Sequence, residues 1–146
     1  MKNRIFVDAN VLIAGADSRT GAGNAVLQMA EIGLYRLVVS RQVLAETERN
    51  LREKLPRALP NFATQMSRLT LEIVPDPPPT ETAKWVGIIE AKDAPILAAA
   101  VLAKVDRFLT LNTKDFTPEV AAQSGLLIQT PGELIVNIRA IVDTVL

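Results

Sequence analysis

The chain has 146 residues, no cysteine and no histidine, and its sixteen basic residues balance sixteen acidic ones. Those absences exclude disulfides, thiolate nucleophiles, Ser-His-Asp triads and most zinc or copper sites, leaving oxygen ligands for any metal. A hydrophobic content of 49% argues for one ordered domain over residues 1–146, and no apolar run reaches the roughly 20 residues of a membrane span.

The first four residues lead straight into an apolar strand, without the hydrophobic core and small-residue cleavage pattern of a signal peptide, so a cytoplasmic location is expected. Residues 4–7 read as a short buried strand, and the apolar run resumes after Asn10 too soon for an ordinary solvent loop. Ala22 to Ile32 has helical spacing and stops at Gly33. Tyr35 to Val39 predicts a second strand, with Ser40 placed to cap a helix that runs to about Leu55. Residues 58–69 predict another helix, with Leu59, Phe62, Met66 and Leu69 on one face, and 71–74 a third strand. The prolines of 75–79 exclude helix and central strand there and predict a rigid loop, after which Thr80 caps a helix expected to reach Ile89. A helix over 94–102, a fourth strand over 107–111, a short helix from Thr117-Pro118 to Gly125 and a fifth strand over 126–129 follow. Thr130-Pro131-Gly132-Glu133 has the form of a capping box with proline at the first helical position, starting a terminal helix to Val145. Strands alternating with helices predict βαβ units and a parallel sheet.

Such a sheet presents ligands at the carboxyl ends of its strands, and acidic or amide side chains fall there. Asp8 ends the first strand, Glu46 lies nearly two turns into the helix after the second, and Asp93 stands at the start of the helix before the fourth. Asn112 and Asp115 follow the fourth strand, which neighbours the first at the switch point of a doubly wound sheet. Two carboxylates about 4–5 Å apart repel by roughly 3–4 kcal/mol. A divalent cation relieves that repulsion, and it also activates water and polarises a phosphoryl oxygen. With oxygen donors alone, the expected ion is Mg²⁺ or Mn²⁺. Each residue has a structural alternative as well. Asp8 and Asp93 suit helix caps, Glu46 a surface pairing with Arg49 or Asn50, and Asn112, Asp115 and Asn10 the bracing of turns. Lys104 and Arg107 read as solvated and Trp85 as core. Residues 41–68 hold six basic against three acidic side chains, either a solvated helix face or an edge that contacts phosphates.

Four segments taken together resemble the PIN domain, a family of small metal-dependent ribonucleases that includes VapC-type toxins of toxin–antitoxin pairs. Ile5 to Ile13 looks like the family's opening strand with its first metal-binding aspartate, and Val43-Leu44-Ala45-Glu46 like its glutamate-bearing helix. Lys92 to Ala100 looks like the third acidic motif, and Phe108 to Phe116 like the last, where a threonine precedes an acidic residue. The family usually has an aspartate two residues after that threonine, where this chain has Asn112. The resemblance implies an α/β fold of three layers, α/β/α, with a parallel sheet of four or five strands in the order 3-2-1-4-5. It implies endonucleolytic hydrolysis of single-stranded RNA, with Asp8, Glu46 and Asp93 holding Mg²⁺ or Mn²⁺ and Asp115 as a fourth acid. Asn112 would orient the attacking water, Asn10 and Thr110 would donate to the ligands, and Arg41, Arg49 or Lys114 would contact the RNA backbone. The implied partners are an antitoxin and a second copy of the chain; the apolar faces of 58–69 and 134–145 serve either a dimer or the core. Two other readings stay open. One is a PIN-like module that binds RNA or protein without cutting. The other is a phosphatase of the haloacid dehalogenase type, which also starts with an aspartate after a first strand but normally has a second aspartate where Asn10 stands.

Overall fold

Ile5, Phe6 and Val7 are consecutive and all buried, which only a sheet covered on both faces allows. They belong to β1 (Arg4–Val7), the central strand in a computed structural model that describes residues 3–145. With β2 (Arg36–Ser40), β3 (Glu72–Val74), β4 (Arg107–Leu109) and β5 (Ile128–Gln129) it forms an all-parallel sheet of order β3-β2-β1-β4-β5. The expected order is observed, with five strands. Helices α1 (Ala9–Asp17), α2 (Ala22–Glu31), α3 (Arg41–Lys54) and α4 (Leu59–Arg68) connect the first half. Then come α5 (Pro79–Ala83), α6 (Ala94–Ala103), α7 (Pro118–Ser124) and α8 (Pro131–Val145). Among the described residues no helix is long and apolar enough to cross a membrane.

Local chemistry sets several boundaries as expected. The Ser40 hydroxyl accepts from the Val43 N–H at 3.3 Å, Gly33 and Gly125 adopt positive φ after their helices, and Thr130 with Glu133 closes a reciprocal capping box. Four readings need correction. The apolar run after Asp8 is already a helix, α1, buried at Ala9, Val11, Leu12, Gly15 and Ala16; its near-uniform apolarity hid the helical period. Thr80 lies inside α5 rather than capping it, and the helix stops at Ala83, with turns continuing to Ile89 through Gly87 at φ +93°. The fourth strand ends at Leu109, since the N–H groups of Leu111 and Asn112 donate to the side chains of Asn10 and Thr110. Arg107 is half-buried, its guanidinium donating to Gln129 at 2.8 Å and Asn137 at 3.0 Å, so β5 and α8 take the place of solvent.

Helices α1 and α2 approach closely because Gly15 faces Gly23. A Cβ on Gly15 would stand 2.5 Å from Leu27 Cδ1 and 3.1 Å from the Gly23 carbonyl oxygen. Leu27 is itself buried and has little room to turn. Gly15→Ala gains about 1 kcal/mol of helix propensity, but overpacking costs roughly 1–3 kcal/mol. A net loss of about 1 kcal/mol is expected, read as a lower urea midpoint with unchanged slope.

Candidate functional site

The pairing of Val7 with Leu109 brings the next residues of both strands side by side at the carboxyl edge of the sheet. There Asp8, only 8% exposed, is bonded from three directions. Its Oδ1 accepts from the Ala9 N–H at 2.8 Å; its Oδ2 accepts from the Thr110 hydroxyl at 2.8 Å and the Asn10 amide at 3.3 Å. Asp8 therefore caps α1 with one oxygen and turns the other toward β4, so the two readings of this residue coexist. Burial pushes its pKa up against those hydrogen bonds, and the charge of Glu46 adds to the rise. The buried Thr110 hydroxyl also accepts from the Asn112 N–H at 3.0 Å, while the Asn10 amide reaches it at 3.3 Å and the Asn10 carbonyl oxygen accepts from the Leu111 N–H. Asp8, Asn10 and Thr110 thus form one polar knot that fixes where β4 ends.

Glu46 reaches this edge from the second turn of α3. Its carboxylate accepts from the Gln42 amide at 3.1 Å, whereas Asn50 donates to the Glu46 backbone carbonyl and leaves the side chain free of it. Gln42 was not among the sequence candidates; its placement four residues before Glu46 on one helix face was the available signal. The Gln42 N–H is in turn held by Asp76 at 2.9 Å, which ties the proline-rich loop to the start of α3.

Asp93 precedes α6 but makes no side-chain cap, and its Oδ2 is buried without a hydrogen-bond partner. Burial drives its pKa up to about 7, reinforced by hydrogen bonding with Asp115 and by the charges of Asp115 and Asp8. Asp115 moves the opposite way. The Asn112 amide donates to its Oδ2 at 3.0 Å and holds it below the usual carboxylate range, with Asp93 contributing and the Lys92 ammonium at 3.8 Å. The proton of the pair accordingly rests on Asp93 and the charge on Asp115. Asn112 spends both ends of its amide on Asp115, since its Oδ1 accepts from the Asp115 N–H at 3.2 Å. It forms the turn and aims the acid at once.

Four acids from four separate segments thus meet electrostatically at one edge: Asp8 with Glu46, Asp8 with Asp93, and Asp93 with Asp115. Among the described residues, no three of them already stand in metal-holding geometry. The donor set nevertheless fits a hard dication, being all oxygen, mutually repelling, and containing a buried carboxylate oxygen without a hydrogen-bond partner among the described residues. Arg41 opens α3, and Arg49 lies less than a turn beyond Glu46. Both are exposed, and neither forms an ion pair among the described residues. Lys114, also exposed, sits on the Asn112–Asp115 turn, and its charge helps to hold Asp115 low.

A family model described as PIN domain matches residues 4–114, which take in Asp8, Glu46, Asp93 and Asn112 and stop one residue short of Asp115. No curated protein matches the chain significantly. Among solved structures, a protein from Pyrobaculum aerophilum is similar at 17% identity, over 94% of this chain and 90% of that one, with a TM-score of 0.65. The VapBC2 complex of Rickettsia felis, bound to a DNA fragment from its promoter, is similar at 15% identity, over 87% and 98%, with a TM-score of 0.59. A toxin–antitoxin complex of Klebsiella pneumoniae is similar at 22% identity, over 87% and 97%, with a TM-score of 0.58. These likenesses agree on the fold, and the family match covers most of the chain. The chain belongs to the PIN-domain family.

Proposed function

We propose that the protein is a single-domain endoribonuclease that hydrolyses phosphodiester bonds of single-stranded RNA with Mg²⁺ or Mn²⁺, and that it acts as the toxin of a toxin–antitoxin pair. The observation that carries this reading is the meeting of Asp8, Glu46, Asp93 and Asp115 at one edge, where the buried Oδ2 of Asp93 has no hydrogen-bond partner among the described residues. Asp8, Glu46, Asp93 and Asp115 would hold the ion. When bound, it supplies charge neutralisation, an activated water and polarisation of the phosphoryl oxygen. The protein's own groups prepare for that. Thr110 and Asn10 fix the Asp8 carboxylate, Gln42 fixes Glu46, and Asn112 aims Asp115. The proton on Asp93 must leave for the fourth carboxylate to ligate. Lys114 and Arg41 offer charge to RNA phosphates at the same edge, with Arg49 further along α3.

Asn112 adds no charge, which favoured a module that binds without cutting. Its hold on Asp115, beside Asp93, supports a fourth acid at this edge and so favours the nuclease reading. The phosphatase alternative normally has a second aspartate where Asn10 stands, and the Asn10 amide is committed to Asp8, Thr110 and Leu111. Two of the similar structures are toxin–antitoxin complexes, which supports an antitoxin partner. The exposed Val136, Ile141 and Val142 of α8 offer apolar area for that partner or for a second copy of the chain. Incubation with a mixed single-stranded RNA pool should give cleavage with Mn²⁺ or Mg²⁺ and none in EDTA. Intact RNA at every concentration of either ion would overturn the nuclease reading.

A further inference from the structure

A second feature opens from the same edge. Between the ends of β4 and β5, the helix α7 and the start of α8 lies a cavity of about 410 Å³, within the roughly 300–1,000 Å³ of ligand sites. Thr110, which holds Asp8, is one of its walls, and Thr113 on the turn between Asn112 and Asp115 is another. The floor is apolar, made by the buried Phe116 and Leu126 with Ile128 and Ala121. The rim is polar but uncharged except for Glu133, and among the described residues no lysine or arginine lines it. A phosphate would find no counter-charge there, whereas a flat, neutral ring with polar edges needs none.

Resting on the nuclease reading, we infer that this cavity receives the base of an RNA nucleotide next to the scissile phosphate, and that Glu133 selects bases bearing an exocyclic amine. The Glu133 carboxylate can only accept hydrogen bonds, and its Oε1 already takes the Thr130 N–H at 3.0 Å, leaving Oε2 for the ligand. The Gln129 amide is turned away, its oxygen taken by Arg107 and its nitrogen donating to Asn137. The pocket therefore meets cytosine, adenine or guanine through their amino groups; the one donor on uracil's pairing edge, N3–H, lies between two carbonyl oxygens that repel the carboxylate, so uracil fits less well. The threonine hydroxyls at positions 113 and 117 serve either edge of a ring, while Lys114 lies outside, beside the backbone phosphates.

Glu133→Gln isolates the inference because glutamine also satisfies a capping box. It keeps the oxygen for the Thr130 N–H and replaces the second acceptor by a donor. Tetranucleotides of cytidine and of uridine, titrated in EDTA so that no metal-dependent cleavage occurs and followed by amide NMR shifts at Thr113, Ala121 and Leu127, provide a readout independent of cleavage. The wild type should bind the cytidine probe about tenfold more tightly. Glu133→Gln should erase or invert that preference at unchanged melting temperature, and Ala121→Phe, which fills the floor, should remove the shifts. Shifts elsewhere only, or equal affinity for both probes in wild type and Glu133→Gln, overturns the inference while leaving the nuclease reading intact. Selective binding without cleavage of any RNA sustains the pocket and overturns the nuclease.

Discussion

Asp8→Asn should reduce metal-dependent RNA cleavage on the order of a thousandfold without unfolding the protein. Two opposite unit charges about 4 Å apart at a surface-like dielectric interact by roughly 4 kcal/mol, and at about 1.4 kcal/mol per decade that is about 10³ in rate. The fold should survive, because the amide oxygen can still accept from the Ala9 N–H and the substitution removes a charge that burial already disfavours. Thr110→Val separates the charge from its positioning. It keeps all carboxylates and deletes only the hydroxyl that donates to Asp8 and accepts from Asn112, so a loss of about 10- to 100-fold is expected, mainly in metal affinity. Rates measured against Mn²⁺ concentration distinguish the two: Thr110→Val should recover at high Mn²⁺ and Asp8→Asn should not. Full activity in Asp8→Asn would remove this carboxylate from the reaction.

Asp93→Asn should make the metal-free protein more stable at pH 8 and abolish its stabilisation by divalent ions. The folded pKa of Asp93, about 7, lies above the roughly 3.9 of an unfolded aspartate. Below about pH 4 both states hold the proton and the contribution is fully present. As pH rises toward 7 only the folded state holds it, so this contribution to stability declines and is gone above the folded pKa. The slope is at most about 1.4 kcal/mol per pH unit, reduced by solvent screening. Glu72, held low by its hydrogen bonds with Arg4, works in the opposite sense, its contribution present above about pH 4 and lost in acid, outside that window. Melting curves in EDTA between pH 5.5 and 8.5 should fall with pH in the wild type and flatten in Asp93→Asn. The stabilisation by Mn²⁺ should grow across the same range, as the bound ion replaces a proton. A lower melting temperature for Asp93→Asn at pH 8 in EDTA would show that the buried Oδ2 has a partner after all.

The candidate site was partly readable in the order of residues. Asp8 stood out because a carboxylate directly after a buried strand has few settings, and the expected adjacency of strands one and four held. Thr110 came only through the family resemblance, as the threonine before an acidic residue in the last motif. Gln42 and the Asp93–Asp115 pair were not readable in the same way. Twenty-two positions separate the two aspartates, and nothing local indicates that one would carry the proton and the other the charge. Arg107 looked solvated because its neighbours in sequence are polar or charged on one side; its actual neighbours, Gln129 and Asn137, come from later elements.

Reading along the chain was enough for the alternation of strand and helix, the caps at Ser40, Thr117 and Thr130, and the absence of any thiolate or imidazole ligand. Those follow from short-range rules, in which a hydroxyl meets an amide three residues away or proline forbids a donor. The protonation of Asp93, the double engagement of Asn112 and the cavity beside Thr110 emerge when the chain is folded. Each depends on desolvation and on charges brought together across the sheet, and such energies are set by distance through space and are invisible along the chain.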